Sequence, residues 1–164
     1  MKLAIGSDER AHLTDAVIRE LEAQGHELKK FGALRDDASQ DEKRWPNVAR
    51  DVAECVASGE CEQGILFCWT GTGVTIAANK VPNVRAALCF DAETAKGARR
   101  WNDANILAMS LRLTSETVAK EILREWFSAK PDSDDENQAC LAALTQNERK
   151  HLDASQNETN GIAS

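Results

Sequence analysis

Cys68-Trp69-Thr70-Gly71-Thr72-Gly73 is the stretch of this 164-residue chain with the clearest chemical potential. It follows the apolar run Gly64-Ile65-Leu66-Phe67 and precedes a helix-like segment carrying Val74, Ile76, Ala77 and Ala78. Glycines at a strand-to-helix turn let a ligand approach the backbone and leave several N–H groups unshielded at the helix start. That arrangement favours an anion, either a phosphate or a developing oxyanion. A thiol placed just before those N–H groups suits proton transfer or nucleophilic attack, because a helix N-terminus favours the thiolate. Two plainer readings compete: a tight turn that needs small residues, and a cysteine that packs as a small hydrophobe. The pattern is not a dinucleotide fingerprint, which wants a third small residue where Ile76 stands and belongs in the first βα unit. It also lacks the Gly-Lys-Ser/Thr of a Walker loop. Cys55, Cys61, Cys89 and Cys140 read as packing residues.

The elements that must position this turn are short β-like runs alternating with amphipathic stretches. Residues 2–5 form a first strand ending in Gly6-Ser7-Asp8, and Leu13, Val17 and Leu21 mark a helix over 10–24 that Gly25 stops. Residues 26–31 form a charged, hence edge, strand. A polar loop leads to a helix entered at Pro46 and ended by Ser58-Gly59. Strands over 64–67, 85–89 and 105–109 and helices over 92–100 and 115–127 complete the alternation. Ser133 or Asp134 caps a last helix reaching about residue 152.

This pattern predicts an α/β fold: a Rossmann-like, three-layer α/β/α domain with a five-stranded parallel sheet. Its divisions are a main domain over 1–130, a helical extension over 131–152 and a disordered tail over 153–164. Ligands of such sheets sit at the carboxyl ends of strands. The turns of interest are therefore 7–9, 68–73, 90–91 and the approach to the fifth strand.

Twenty basic against twenty-seven acidic side chains give a formal charge of −7. That argues against a nucleic-acid partner, which needs a basic footprint, but leaves room for a local anion pocket. No apolar run reaches the roughly eighteen residues of a membrane span, and Met1 to Gly6 is too short for a signal peptide. Five cysteines without CxxC spacing and three histidines argue against a zinc site or disulfide framework and fit reduced thiols in a cytoplasm.

Ile5-Gly6-Ser7-Asp8, Gly64 to Cys68, Thr70-Gly71-Thr72-Gly73 and Ile76-Ala77-Ala78-Asn79-Lys80 together resemble the RpiB/LacA/LacB family of sugar-phosphate isomerases. Val81-Pro82, Arg85 to Cys89 and Asn102-Asp103-Ala104-Asn105 continue the match over about residues 1–128. The resemblance implies aldose–ketose isomerisation through an enediolate, without metal or other cofactor, on a small sugar or sugar phosphate. It also implies a homo-oligomer, dimer or tetramer, whose active sites are completed by the neighbouring chain. Cys68 falls at the position of the base in the cysteine-using branch; the glutamate of the other branch is Val74 here. By the same resemblance Gly71, Thr72 and Gly73 hold the enediolate oxygen, Thr70 bonds the thiol or the substrate, and Asp8 and Asn102 grip sugar hydroxyls. Arg112 matches an arginine that contacts phosphate, and Glu9 and Trp101 stand where the family carries histidines at the site.

Those two replacements bear on the substrate. The histidine before the fifth strand acts in ring opening, and the indole of Trp101 offers only an N–H donor. His12, His26 and His151 do not obviously replace it. The family's C-terminal arginine-histidine segment is also missing, with Asp132, Asp134, Asp135 and Glu136 in its place; they would repel phosphate in a pocket and do nothing at a solvated helix start. Trp45, Trp69 and Trp101 are expected near one mouth, where aromatic faces pack on sugar C–H groups. The reading is an isomerase with functional Cys68 and an altered substrate, for which an open-chain tetrose phosphate is chemically attractive. The alternative is a non-catalytic sugar or sugar-phosphate binding protein.

Overall fold

The computed structural model describes residues 1–161, with side chains to Leu152. Five strands, β1 (Lys2–Ser7), β2 (Glu27–Gly32), β3 (Gln63–Cys68), β4 (Ala86–Leu88) and β5 (Ile106–Ser110), alternate with α1 (His12–Ala23), α2 (Trp45–Ala57), α3 (Thr72–Ala78) and α4 (Ala92–Asn102). Then α5 (Glu116–Ser128) and α6 (Asp135–Gly161) follow. All strand pairs are parallel, in the order β2-β1-β3-β5-β4. The α/β/α sandwich is therefore as the alternation predicts, with the charged β2 at an edge.

Period-two alternation divides the core. Ile65 and Phe67 of β3 face a cluster built by α1, α4 and α5, which includes Leu13, Leu21, Ile122 and Trp126. Leu66 and Cys68 face the opposite cluster, built by α2 and α3 with Val48, Val52 and Val74. Burial on both faces explains why β3 and β5 read as continuous apolar runs rather than alternating ones.

The strand order reverses between β1 and β3: the chain winds outward to β2, then returns to the other side of β1. The carboxyl ends of β1 and β3 consequently diverge into loops on opposite faces, opening the crevice in which open parallel sheets bind ligands.

The last helix lies outside both layers. Asp134 caps it, accepting from the Asn137 N–H at 2.9 Å, which decides between the two candidates. None of its described side chains is fully buried. Cys140, expected to pack, is exposed on it, because no neighbouring element covers that face. The helix continues to Gly161, nine residues beyond the expected end and through most of the expected tail; residues 162–164 lie outside the described residues.

Candidate active site

Gly71 sets the shape of the turn after β3. Its φ of 77° lies in the left-handed region, and a Cβ there would collide with Leu88 and the Met109 carbonyl. Only glycine meets both demands at low cost. The Gly71 N–H donates back to the Cys68 carbonyl at 3.2 Å, and the Gly71 carbonyl accepts from the Thr75 hydroxyl at 2.7 Å. Gly71 N–H thus closes the turn instead of facing a ligand, which corrects the expectation for that one donor. The amides of Thr72, Gly73 and Val74 open α3 and have no acceptor inside the helix. The Thr70 and Thr72 hydroxyls pair with each other at 2.7 Å.

Cys68 ends β3 at 6% exposure, in the apolar cluster with Val48 and Val74. Its carbonyl accepts from Leu111 N–H at 3.1 Å, and the Trp69 carbonyl accepts from Arg112 N–H at 3.0 Å and from the Ser110 hydroxyl at 2.9 Å. These bonds stitch the turn after β3 to the turn after β5 and bring exposed Arg112 alongside it. Ser110, fully buried and paired in register with Cys68, was not legible as a site residue. Its one signal was a hydroxyl closing the otherwise apolar strand Ile106 to Met109. Trp45, the first residue of α2, packs on Gly73: a Cβ on that glycine would lie 3.2 Å from Trp45 Cε3.

Asp8 follows β1 next door. Ser7 is buried, its hydroxyl donating to the Glu9 carbonyl at 2.6 Å, so the turn holds its shape without the Asp8 side chain. Asp8 Oδ1 is buried and makes no hydrogen bond. Burial, with the nearby Glu9 charge as a lesser cause, raises its pKa above the ordinary 3.8 against the pull of backbone N–H groups. Glu9 itself is exposed.

Trp101 and Asn102 are elsewhere. They end α4, which runs antiparallel to the strands and delivers the chain to the amino end of β5. Ile106 opens that strand beside Gly64, whereas Ser110 closes it beside Cys68. The strand alone is about 13 Å long, so within one chain Trp101 and Asn102 lie at the opposite edge from Cys68. The expectation that Trp45, Trp69 and Trp101 share one mouth is therefore wrong for a single chain. Trp101 is 57% exposed and lies back across Gly97, one turn earlier.

The remaining candidates have structural occupations. Arg100 pairs with Asp132 at 2.9 Å, and Asp134 caps α6, so these acids belong to a helix start. Arg99 bonds the Ala104 carbonyl and stacks over Trp126, and Arg10 pairs with Asp15 at 2.9 Å. His12, its side chain 83% exposed, pairs with Glu116 at 2.9 Å. His26 stacks on Phe127 with ring centroids 4.9 Å apart. His151 lines a groove of about 580 Å³ between α6 and β4, together with Arg85, Asn102 and Glu148. That groove is on the far side from Cys68 and shares only Asn102 with the candidate residues. Among the described residues no three His, Cys, Asp or Glu side chains form a metal-sized cluster. No helix among them is long and apolar enough to cross a membrane.

Comparison with known proteins agrees with this layout. Residues 3–144 match the model of the ribose/galactose isomerase family. The chain is 32% identical to ribose-5-phosphate isomerase B of Escherichia coli, over 92% of this chain and 99% of that protein. It is 34% identical to D-erythrulose-4-phosphate isomerase of Pectobacterium atrosepticum, over 79% and 84% respectively. Among solved structures, ribose-5-phosphate isomerase B of Clostridium thermocellum superposes with a TM-score of 0.82 at 35% identity, covering 92% of this chain and 99% of that one. A fold, a strand-end turn and a sequence match that all span the same residues lead to one assignment: this chain belongs to the ribose/galactose isomerase family.

Proposed function

We propose that the chain is an aldose–ketose isomerase for a small sugar phosphate, with Cys68 as the base. The Cys68 thiolate removes the proton from the carbon next to the substrate carbonyl, and the electron pair moves onto the carbonyl oxygen as an enediolate forms. The thiol then delivers a proton to the neighbouring carbon while the hydroxyl proton passes from one enediolate oxygen to the other, which exchanges aldose for ketose with no net gain or loss of atoms. The Thr72 and Gly73 amides stabilise the oxyanion; losing one such donor typically raises the barrier by about 3 kcal/mol. Asp8 Oδ1 accepts a substrate hydroxyl, Thr70 and Thr72 orient it, and Arg112 meets the phosphate. Trp101 and Asn102 act on the site of a second copy in a homodimer or tetramer. The observation that carries the reading is the meeting, at the switch point, of a strand-end thiol, open helix amides and an unpaired buried carboxylate oxygen. Five free thiols fit a cytoplasmic setting.

Trp101 favours a substrate that reacts in open form, since an indole cannot shuttle the proton of ring opening. A tetrose 4-phosphate cannot close a furanose ring because its terminal oxygen is esterified, and a relative is named for a four-carbon substrate. Ribose 5-phosphate, the substrate in the name of other relatives, is expected to turn over slowly. The test is exchange of the substrate's carbon-bound proton with solvent deuterium, across C4 to C6 sugars and their phosphates. Exchange lost in Cys68→Ala supports the enzyme. Tight binding of a sugar phosphate with neither exchange nor aldose–ketose interconversion in the unmodified protein overturns it in favour of a binding protein.

A further inference from the structure

Cys55 and Cys61 meet at the amino edge of the sheet, where α2 ends and the chain turns into β3. Their sulfurs are 3.0 Å apart, and they are 5% and 1% exposed. The Cys61 N–H donates to the Cys55 carbonyl at 3.1 Å, which keeps the two backbones within the span that a disulfide bridges. Bringing the sulfurs to the bonded distance of about 2.05 Å takes a small side-chain rotation and no rearrangement of the backbone. Cys55 also forms part of the wall of a surface groove with Lys29, Phe31, Glu54 and Glu60, so one member of the pair is approachable from solvent.

We infer that Cys55 and Cys61 are a redox-modification site, at which a hydroperoxide converts the two thiols into a reversible disulfide. The Cys55 sulfur attacks the outer peroxide oxygen; the O–O bond breaks, an alcohol leaves and Cys55 becomes a sulfenic acid. Cys61 sulfur then attacks Cys55 sulfur, the S–S bond forms and water leaves with the remaining thiol proton. Two electrons pass from the thiols to the peroxide. Burial first, and the hydrogen bond with Cys61 second, push the Cys55 thiol up to about 12, so the conversion is slow at neutral pH and calls for sustained oxidant. The residues Gln63 to Cys68 of β3 separate the pair from the strand-end thiol by about 16 Å. The modification therefore leaves Cys68 free and acts on the anchoring of α2 to β3.

The experiment treats the full-length protein with hydrogen peroxide at pH 8.5, in a Cys140→Ser background that removes the exposed thiol. Expected are a loss of two mass units confined to the segment carrying Cys55 and Cys61 and, after cleavage at Glu60 by a glutamate-specific protease, a peptide pair joining Cys55 to Cys61 that dithiothreitol separates. The oxidised form should melt higher by about 5 °C, the scale for closing so short a loop in a chain of this length. Cys55→Ser and Cys61→Ser should each abolish the linked pair. Peptide mapping of the oxidised Cys140→Ser protein needs neither of these variants to fold. A linkage of any other pair, or oxidation to sulfinic acid with no 55–61 linkage, overturns the inference.

Discussion

Asp8 and Cys68 leave adjacent parallel strands one residue beyond the paired Ser7 and Phe67. An unpaired carboxylate oxygen and a thiol thereby emerge at the same level of the sheet. Burial raises the Asp8 pKa above 3.8, so folding disfavours its charge. The stability it gives is full below 3.8, where both states are protonated, and is lost as pH rises through the higher folded value. Asp8→Asn should therefore raise the melting temperature at pH 7, with the gain over wild type shrinking as pH approaches 3.8. The same variant should raise KM. Calorimetry across pH, paired with steady-state kinetics, checks both; equal melting points at pH 7 would show that this oxygen is not held unsolvated.

Cys68→Ala should lower kcat by at least about a hundredfold, the lower range for a lost general base. Its melting temperature should change little, since the lost group is a single sulfur at a strand end. Circular dichroism and turnover measured on one preparation separate chemistry from folding.

At Gly71 the cost should fall on the fold. Gly71→Ala meets a left-handed φ and a collision with Leu88, which together should destabilise by roughly 1–3 kcal/mol, read from urea unfolding. Gly73→Ala meets only the Trp45 ring at 3.2 Å, a side chain with room to shift, and should be milder. An inverted ranking would mean that the turn is not shaped as described.

Trp101→His supplies the group that ring opening needs. Activity on ribose 5-phosphate should rise at least tenfold, while a substrate that has no ring form should gain nothing. Mixing this variant's chains with Cys68→Ala chains tests whether the two positions act across a subunit boundary: mixed dimers should lose the gain on ribose 5-phosphate, because no site then pairs Cys68 with the new imidazole.

The alternation of strands and helices was legible because β3, β5 and the stripes Leu13-Val17-Leu21 and Val118-Ile122-Trp126 carry unambiguous periods. The turn after Cys68 was legible as a strand-to-helix turn because glycines at a strand end mark one. The placement of Trp101 was misjudged for a definite reason: a crossover helix carries the chain back to the edge where strands begin, so a residue just before β5 cannot share a loop with one just after β3. Ser110 was missed because its role is a bond to the Trp69 carbonyl, and such a bond depends on register, not composition. The length of α6 was underestimated, since a polar helix that buries no side chain fully offers no apolar stripe to follow.

Gly97 touches no proposed substrate atom, yet the indole of Trp101 rests on its bare Cα. A single methyl added there would stand 2.7 Å from Cζ3 and 2.9 Å from Cε3 of that ring, forcing it to tip outward. The exposed face of Trp101 is thus adjustable from behind, through a position that an inventory of contacts to the sugar would overlook.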